Sequence, residues 1–300
     1  MYTQQDVWGG LIAGYLFLGG VGGATAAIGL LVDQFVRANR RLGVIAAVSS
    51  LVFLGVGSLL LLLDLLQPLN TVYFFVNPGS WIFWGVVFIV GMMVLVALYV
   101  LPHLEDWPVV GTLSRALRFL HSWQKGTALL AAVCGVGVAA YTGFLLAATP
   151  AIPFWDTPLL PALFVVSATS TGLAYLMVAT HLSRGSRVAV SRLGQADAGV
   201  IVLELVVLAT FLGLAATGGR AEAAYSTAFL LGNVGFVVGF LLLGVVFPLG
   251  LELFVAVKGH GGSGTLSFAS LYLVSGLLVL AGGYLLRQYV LSAGFYIRAW

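Results

Sequence analysis

The chain has 300 residues, of which 61% are hydrophobic and 8% charged, with a mean hydropathy of +1.09 and a formal net charge of +3. A soluble domain carries about 25% charged residues, so this composition excludes a water-soluble globular protein and a disordered one, and the solvent of the fold is lipid. A single cysteine, Cys134, excludes a disulfide framework and a protein-ligated iron–sulfur cluster, and the long unbroken apolar runs argue against a barrel, whose strands alternate.

An apolar run of about 20 residues crosses the hydrocarbon as a helix. In chain order the sequence predicts eight: Val7–Val32, Leu42–Leu66, Trp81–Leu101, Gly126–Ala148, Leu159–His181, Ala198–Leu214, Phe229–Val257 and Leu266–Leu286. The first has no basic leader and too long an apolar part for a signal peptide, so it is expected to stay in the mature protein. The sixth is the shortest, and the seventh contains Pro248, which removes a backbone donor and is expected to kink it. The expected fold is an all-α integral membrane protein, one polytopic domain over residues 1–300.

The basic residues are unevenly placed. Loops after spans one, three, five and seven hold Arg37, Arg40, Arg41, Arg115, Arg118, Lys125, Arg184, Arg187, Arg192 and Lys258, against Arg220, Arg287 and Arg298 on the other side. By the positive-inside rule the first set is cytoplasmic and both termini face outward, toward the periplasm.

Charged groups within the hydrocarbon are costly and therefore informative. Asp64 closes span two and Arg287 ends span eight, both toward the outer side, whereas Glu204 opens span six and Glu252 ends span seven, both toward the cytoplasm. Snorkelling at helix ends is the competing explanation. Glu204 and Glu252 are the acidic residues these boundaries leave in the inner halves of the spans. His103, His121 and His260 fall in loops and His181 at a boundary, so no pair is positioned to clamp a haem, and no metal-ligand set is expected. Gly19, Gly20, Gly22 and Gly23 read as helix packing rather than phosphate binding, because they lie inside an apolar span.

Several segments, taken in order, resemble the NrfD / polysulfide reductase membrane-subunit family. They are Trp8 followed by Tyr15-Leu16-Phe17-Leu18-Gly19-Gly20-Val21-Gly22-Gly23; Leu63-Asp64-Leu65-Leu66-Gln67-Pro68; Asn77-Pro78-Gly79-Ser80-Trp81 with Trp84-Gly85; Tyr141-Thr142-Gly143 with Pro153, Trp155, Leu160-Pro161 and Ser167-Ala168; and Gly282-Gly283 with Leu286-Arg287 and Ala293-Gly294. The sequence departs from the family pattern at Leu66 and Gln67, where Gly-Arg is usual, and at Phe295, where glutamine is frequent.

The resemblance implies two packed four-helix bundles and a role as membrane anchor of an oxidoreductase complex. It implies a bound quinone, menaquinone or ubiquinone, that exchanges electrons with a multi-[4Fe-4S] iron–sulfur subunit and, through it, a molybdopterin catalytic subunit. On this reading the protein has no redox centre, haem, cluster or catalytic residue of its own, binds no nucleic acid, and sits in the cytoplasmic membrane of a prokaryote.

The residues agree with that implication. Quinone chemistry needs hydrogen-bond partners for two carbonyl oxygens, a proton donor and an apolar slot. Tyr15, Tyr141 and Asp64 all fall in the outer halves of their spans and meet that need; the competing explanation for the tyrosines is the interfacial aromatic belt. Glu204, Glu252 and Arg287 are the candidates for a proton path. A secondary transporter or proton-conducting protein without a redox partner is the alternative function, and its marks are an inverted repeat and helices broken at mid-membrane. A purely structural anchor is a third.

Overall fold

The computed structural model describes residues 2–36, 40–64, 77–103, 118–183, 185, 187–258 and 266–297. Among these, eight helices are long and apolar enough to cross a membrane. They are α1 (Gly10–Leu31, passing into a π turn at Val32–Val36), α2 (Arg40–Asp64), α3 (Trp81–Val100), α4 (Gln124–Ala147), α5 (Leu159–Leu182), α6 (Arg187–Thr217), α8 (π-helical over Gly235–Val246, α-helical over Phe247–Lys258) and α9 (Leu266–Ser292). A short α7 (Ala221–Gly232) precedes α8. The expected all-α membrane fold is therefore what the protein adopts. The segment after Asp64 through Gln67-Pro68, the loop residues Arg37, Arg115, Arg184 and His260, and Arg298 lie outside the described residues.

Two boundaries differ from expectation in ways that matter. α6 begins at Arg187, eleven residues before Ala198, because Ser191, Arg192, Gln195 and Asp197 interrupt the apolar run without breaking the helix. Phe229 belongs to α7, not to the seventh span. The chain turns extended at Asn233, whose side-chain Oδ1 accepts the backbone N–H groups of Gly235 (2.9 Å) and Phe236 (3.3 Å) and so starts the next helix. The turn into α7 uses Gly219 at φ 79°, a left-handed conformation open to glycine.

Pro248 lies two residues past a π-helical stretch. It has no N–H, and its ring would meet the carbonyl of the residue four back. The preceding Gly235–Val246 takes the wider π pattern, with the Phe247 N–H reaching Leu242 O. Gly244 in that segment lies directly on Gly282 of α9; a Cβ at Gly244 would sit 2.6 Å from the Gly282 Cα.

The first four spans form one bundle and α5, α6, α8 and α9 a second, with α1 and α5 packed together at the junction. These two are the most enclosed spans, 72% and 67% buried over their most apolar windows. Four of the glycines of α1, Gly19, Gly20, Gly22 and Gly23, explain how one helix serves so many neighbours. Gly22 meets Phe53 and Leu54 of α2, Gly19 meets Val138 of α4, Gly20 meets Ala168 of α5, and Gly23 lies against the Gly135 carbonyl, where a Cβ would stand 2.8 Å away. In lipid this close approach, not apolar burial, drives helix association.

The two ends of the chain are tied together, which no pattern in the residues predicts. Tyr2–Gln4 (β1) pairs antiparallel with Phe295–Ile297 (β2), Thr3 opposite Tyr296. Both termini thus lie on one face, here the terminal face. Trp8 stacks on Trp155 at 5.4 Å, Trp155 Nε1 donates to Val290 O (2.9 Å), and Gln5 donates to Leu291 O (3.1 Å), which braces this end. Phe295 packs edge-on against Tyr225 and Phe229 of α7.

Candidate functional site

Tyr15 lies five residues into α1, and Tyr141 six residues before the end of α4, so both stand in the membrane half next to the terminal face. The structure brings them together: Tyr15 Oη donates to Tyr141 Oη at 3.2 Å, and the residues are 2% and 3% exposed. Gly85 of α3 makes room, since a Cβ there would fall on the Tyr141 ring. Gly57 of α2 backs Tyr15, with a Cβ position 3.7 Å from the Tyr15 carbonyl. Trp81 stacks on Phe144 at 4.4 Å one turn nearer the terminal face.

The direction of the bond has chemical content. A phenol can donate one hydrogen bond. Tyr15 spends its proton on Tyr141, so the proton left to offer belongs to Tyr141.

Asp64 is not drawn into this pair. It is half-buried at the end of α2, seven residues past Gly57, or about 10 Å of helix rise toward the terminal face. It forms no hydrogen bond to either tyrosine. All three residues share one membrane half, as expected, but only the tyrosines meet.

The second bundle holds the other candidates. Arg287 is fully buried and donates to Ser167 Oγ (2.9 Å), Gly283 O (2.7 Å) and Phe164 O (3.5 Å), with its guanidinium 5.3 Å from the Phe164 ring centre and 6.0 Å from that of Phe17. Gly20 of α1 leaves room for it, as a Cβ there would stand 3.2 Å from Nη2. Glu204 faces Ser167 and Arg287. Hydropathy boundaries put Glu204 and Arg287 toward opposite faces, and the structure corrects this. The longer α6 carries Glu204 to mid-helix, seventeen residues in from Arg187, where it faces Arg287 across Ser167. Glu252 is fully buried, and its Oε1 accepts from Ser275 at 2.7 Å.

Two further buried acids escape a hydropathy reading. Asp197 precedes the apolar run of span six, yet it is fully buried within α6 and accepts from Ser170 at 2.7 Å. Asp33, just past the apolar run of the first span, lies in the π turn, 4% exposed, where Tyr99 and Gln34 donate to it. Nearby, His103 Nδ1 lies 2.8 Å from Tyr99 O, and Gln124 bridges toward His103 and His121. Helices that continue beyond the hydrocarbon carry polar residues inward, and hydropathy alone cannot register that.

The protein is a polytopic helical bundle with a buried phenol pair near one face and buried acidic and basic side chains in the other bundle. The family described as Polysulphide reductase, NrfD, matches residues 1–299, and the protein belongs to it: a multi-pass membrane subunit of an oxidoreductase complex. It is 31% identical to the C subunit of polysulfide reductase from Wolinella succinogenes, over 96% of its own length and 94% of that relative's. It is also 28% identical to the NrfD homolog of Haemophilus influenzae over 98% and 96%, and 28% identical to the NrfD of Escherichia coli over 62% and 63%.

Proposed function

We propose that this protein binds a quinone, menaquinone or ubiquinone, at the Tyr15–Tyr141 pair and exchanges electrons between the quinone pool and a multi-[4Fe-4S] partner, which serves a molybdopterin catalytic subunit. The observation that carries this reading is the buried phenol pair with one proton left to offer. A quinone supplies two-electron, two-proton chemistry. Tyr141 provides the hydrogen bond to a carbonyl oxygen, Tyr15 holds Tyr141 in place, and the stacked Trp81 and Phe144 offer an apolar flank. Asp64 exchanges protons with the aqueous phase from a half-buried position about two helical turns nearer the terminal face.

In this reading the protein resides in a prokaryotic cytoplasmic membrane, the terminal face is periplasmic, and the soluble partners dock there. Glu204, Glu252 and Arg287 form a proton path through the second bundle. The test is quinol turnover by the assembled complex with Tyr141→Phe, alongside electron transfer from an artificial donor to the catalytic module. Loss of the first with retention of the second supports the site. Normal quinol turnover in an assembled Tyr141→Phe complex rejects it.

A further inference from the structure

The second bundle buries more acid than base. Among the described residues Arg287 is the one buried cation, and Glu204 faces it. Asp197 on α6 and Glu252 on α8 face each other with no cation of their own, both fully buried. Each has one oxygen satisfied by a serine: Asp197 Oδ1 by Ser170 of α5 and Glu252 Oε1 by Ser275 of α9, both at 2.7 Å. The other oxygen of each, Oδ2 and Oε2, is buried without a hydrogen-bond partner. Tyr272, 3% exposed on α9, faces Glu252, with its buried hydroxyl near Ser191 of α6. Gly194 admits the Tyr272 ring beside α6, since a Cβ at Gly194 would fall on it, and Asp197 lies three residues further along that helix.

We propose that Asp197 and Glu252 form a proton-binding site, the two carboxylates holding a proton between them in the half of the second bundle remote from the terminal face. Two carboxylates in one apolar enclosure cannot both stay ionised, because each is desolvated and each repels the other. The groups facing the pair are Glu204 and Ser191 on α6, Ser170 on α5, and Ser275 and Tyr272 on α9, with Arg287 beyond Glu204; none but Arg287 is cationic, and its Nη groups are bonded to Ser167, Gly283 and Phe164. The two unpartnered carboxylate oxygens, even with the Tyr272 hydroxyl, are too few for a hard metal cation, which takes about six ligands; a proton needs two. Ser170 and Ser167, three residues apart on α5, place this site one helical turn from the Arg287–Glu204 pair. The proposal deepens the proton-path reading of Glu252 and adds Asp197 to it. It is tested without quinol turnover, so it fails separately from the quinone assignment.

The probe is dicyclohexylcarbodiimide, which attacks protonated carboxyl groups in apolar surroundings, applied to the intact complex in membranes, with adducts located by mass spectrometry of peptides. An adduct on Asp197 or Glu252 is expected at neutral pH, declining as pH rises. In Asp197→Asn or Glu252→Gln, the surviving carboxyl loses a like-charged neighbour, and its labelling midpoint is expected to move to lower pH by about one pH unit or more. Absence of an adduct on both residues of the unmodified protein, at every pH at which the complex stays assembled, overturns the site. So does an unmoved midpoint in an assembled variant, or protection by sodium at constant pH, which assigns a metal cation instead.

Discussion

Tyr15 donates its hydroxyl proton to Tyr141 across 3.2 Å, joining residues 126 positions apart in the chain. The bond is asymmetric, and the asymmetry ranks the two phenols. Tyr141 carries the proton that can reach a third group, while Tyr15 fixes where Tyr141 points.

The first prediction follows from that ranking. Tyr141→Phe removes the donor itself, at a cost of about 1–3 kcal/mol where a buried partner is left unpaired, or on the order of 5- to 150-fold in quinol turnover. Tyr15→Phe keeps that donor and only frees its orientation, so its effect is expected to be smaller. Turnover of both variants, with co-purification of the partner subunits as the assembly control, decides; a larger loss in Tyr15→Phe would reverse the assignment of roles.

Gly85 supplies a second prediction, from packing alone. A methyl group in Gly85→Ala would occupy the place of the Tyr141 ring, and the ring must move. Overpacking of this kind costs about 1–3 kcal/mol, and the displaced phenol should lose quinol turnover although no polar group has been altered. Gly91→Ala is the control on the same helix: its Cβ would stand at an ordinary 3.7 Å from Cys134 Sγ. Equal activity in the two variants would mean that the position of Tyr141 does not govern turnover.

Arg287 and Glu204 lend themselves to a double-mutant test. Arg287→Met leaves Glu204 in the interior without its cation, and breaking a buried pair from one side costs about 3–5 kcal/mol. Arg287→Met combined with Glu204→Gln removes both charges and should recover most of that loss in thermal unfolding of the detergent-solubilised protein. If the double variant is no more stable than Arg287→Met, the two groups are not coupled.

Orientation gives the fourth. With Cys134→Ser as background, Ser80→Cys ahead of α3 should react with a membrane-impermeant maleimide added outside intact spheroplasts, and Lys258→Cys at the other end of the bundle should not. The reverse pattern would place the terminal face, and the tyrosine pair with it, on the cytoplasmic side.

Much of the architecture is legible in the residues, because lipid imposes a requirement that is local in sequence: each crossing segment must satisfy its own backbone and cover about 30 Å with apolar side chains. The eight spans and the packing role of Gly19, Gly20, Gly22 and Gly23 follow from that requirement and from side-chain volume. Tyr15 and Tyr141 can be assigned to one membrane half by counting along their helices, but not to one another. Their contact depends on how α1 and α4 are rotated and on the gap left by Gly85, both set by packing between distant segments. Hydropathy fails where a helix outlasts its apolar run. That is why it leaves Asp33 and Asp197 outside the spans and sets Glu204 apart from Arg287, when tertiary packing of α6 and α9 against Ser167 brings those two face to face. Composition and periodicity thus determine what crosses the membrane, while the partners of the buried polar groups are decided by the tertiary structure, since a hydrogen bond between helices depends on rotation and depth that no single segment specifies.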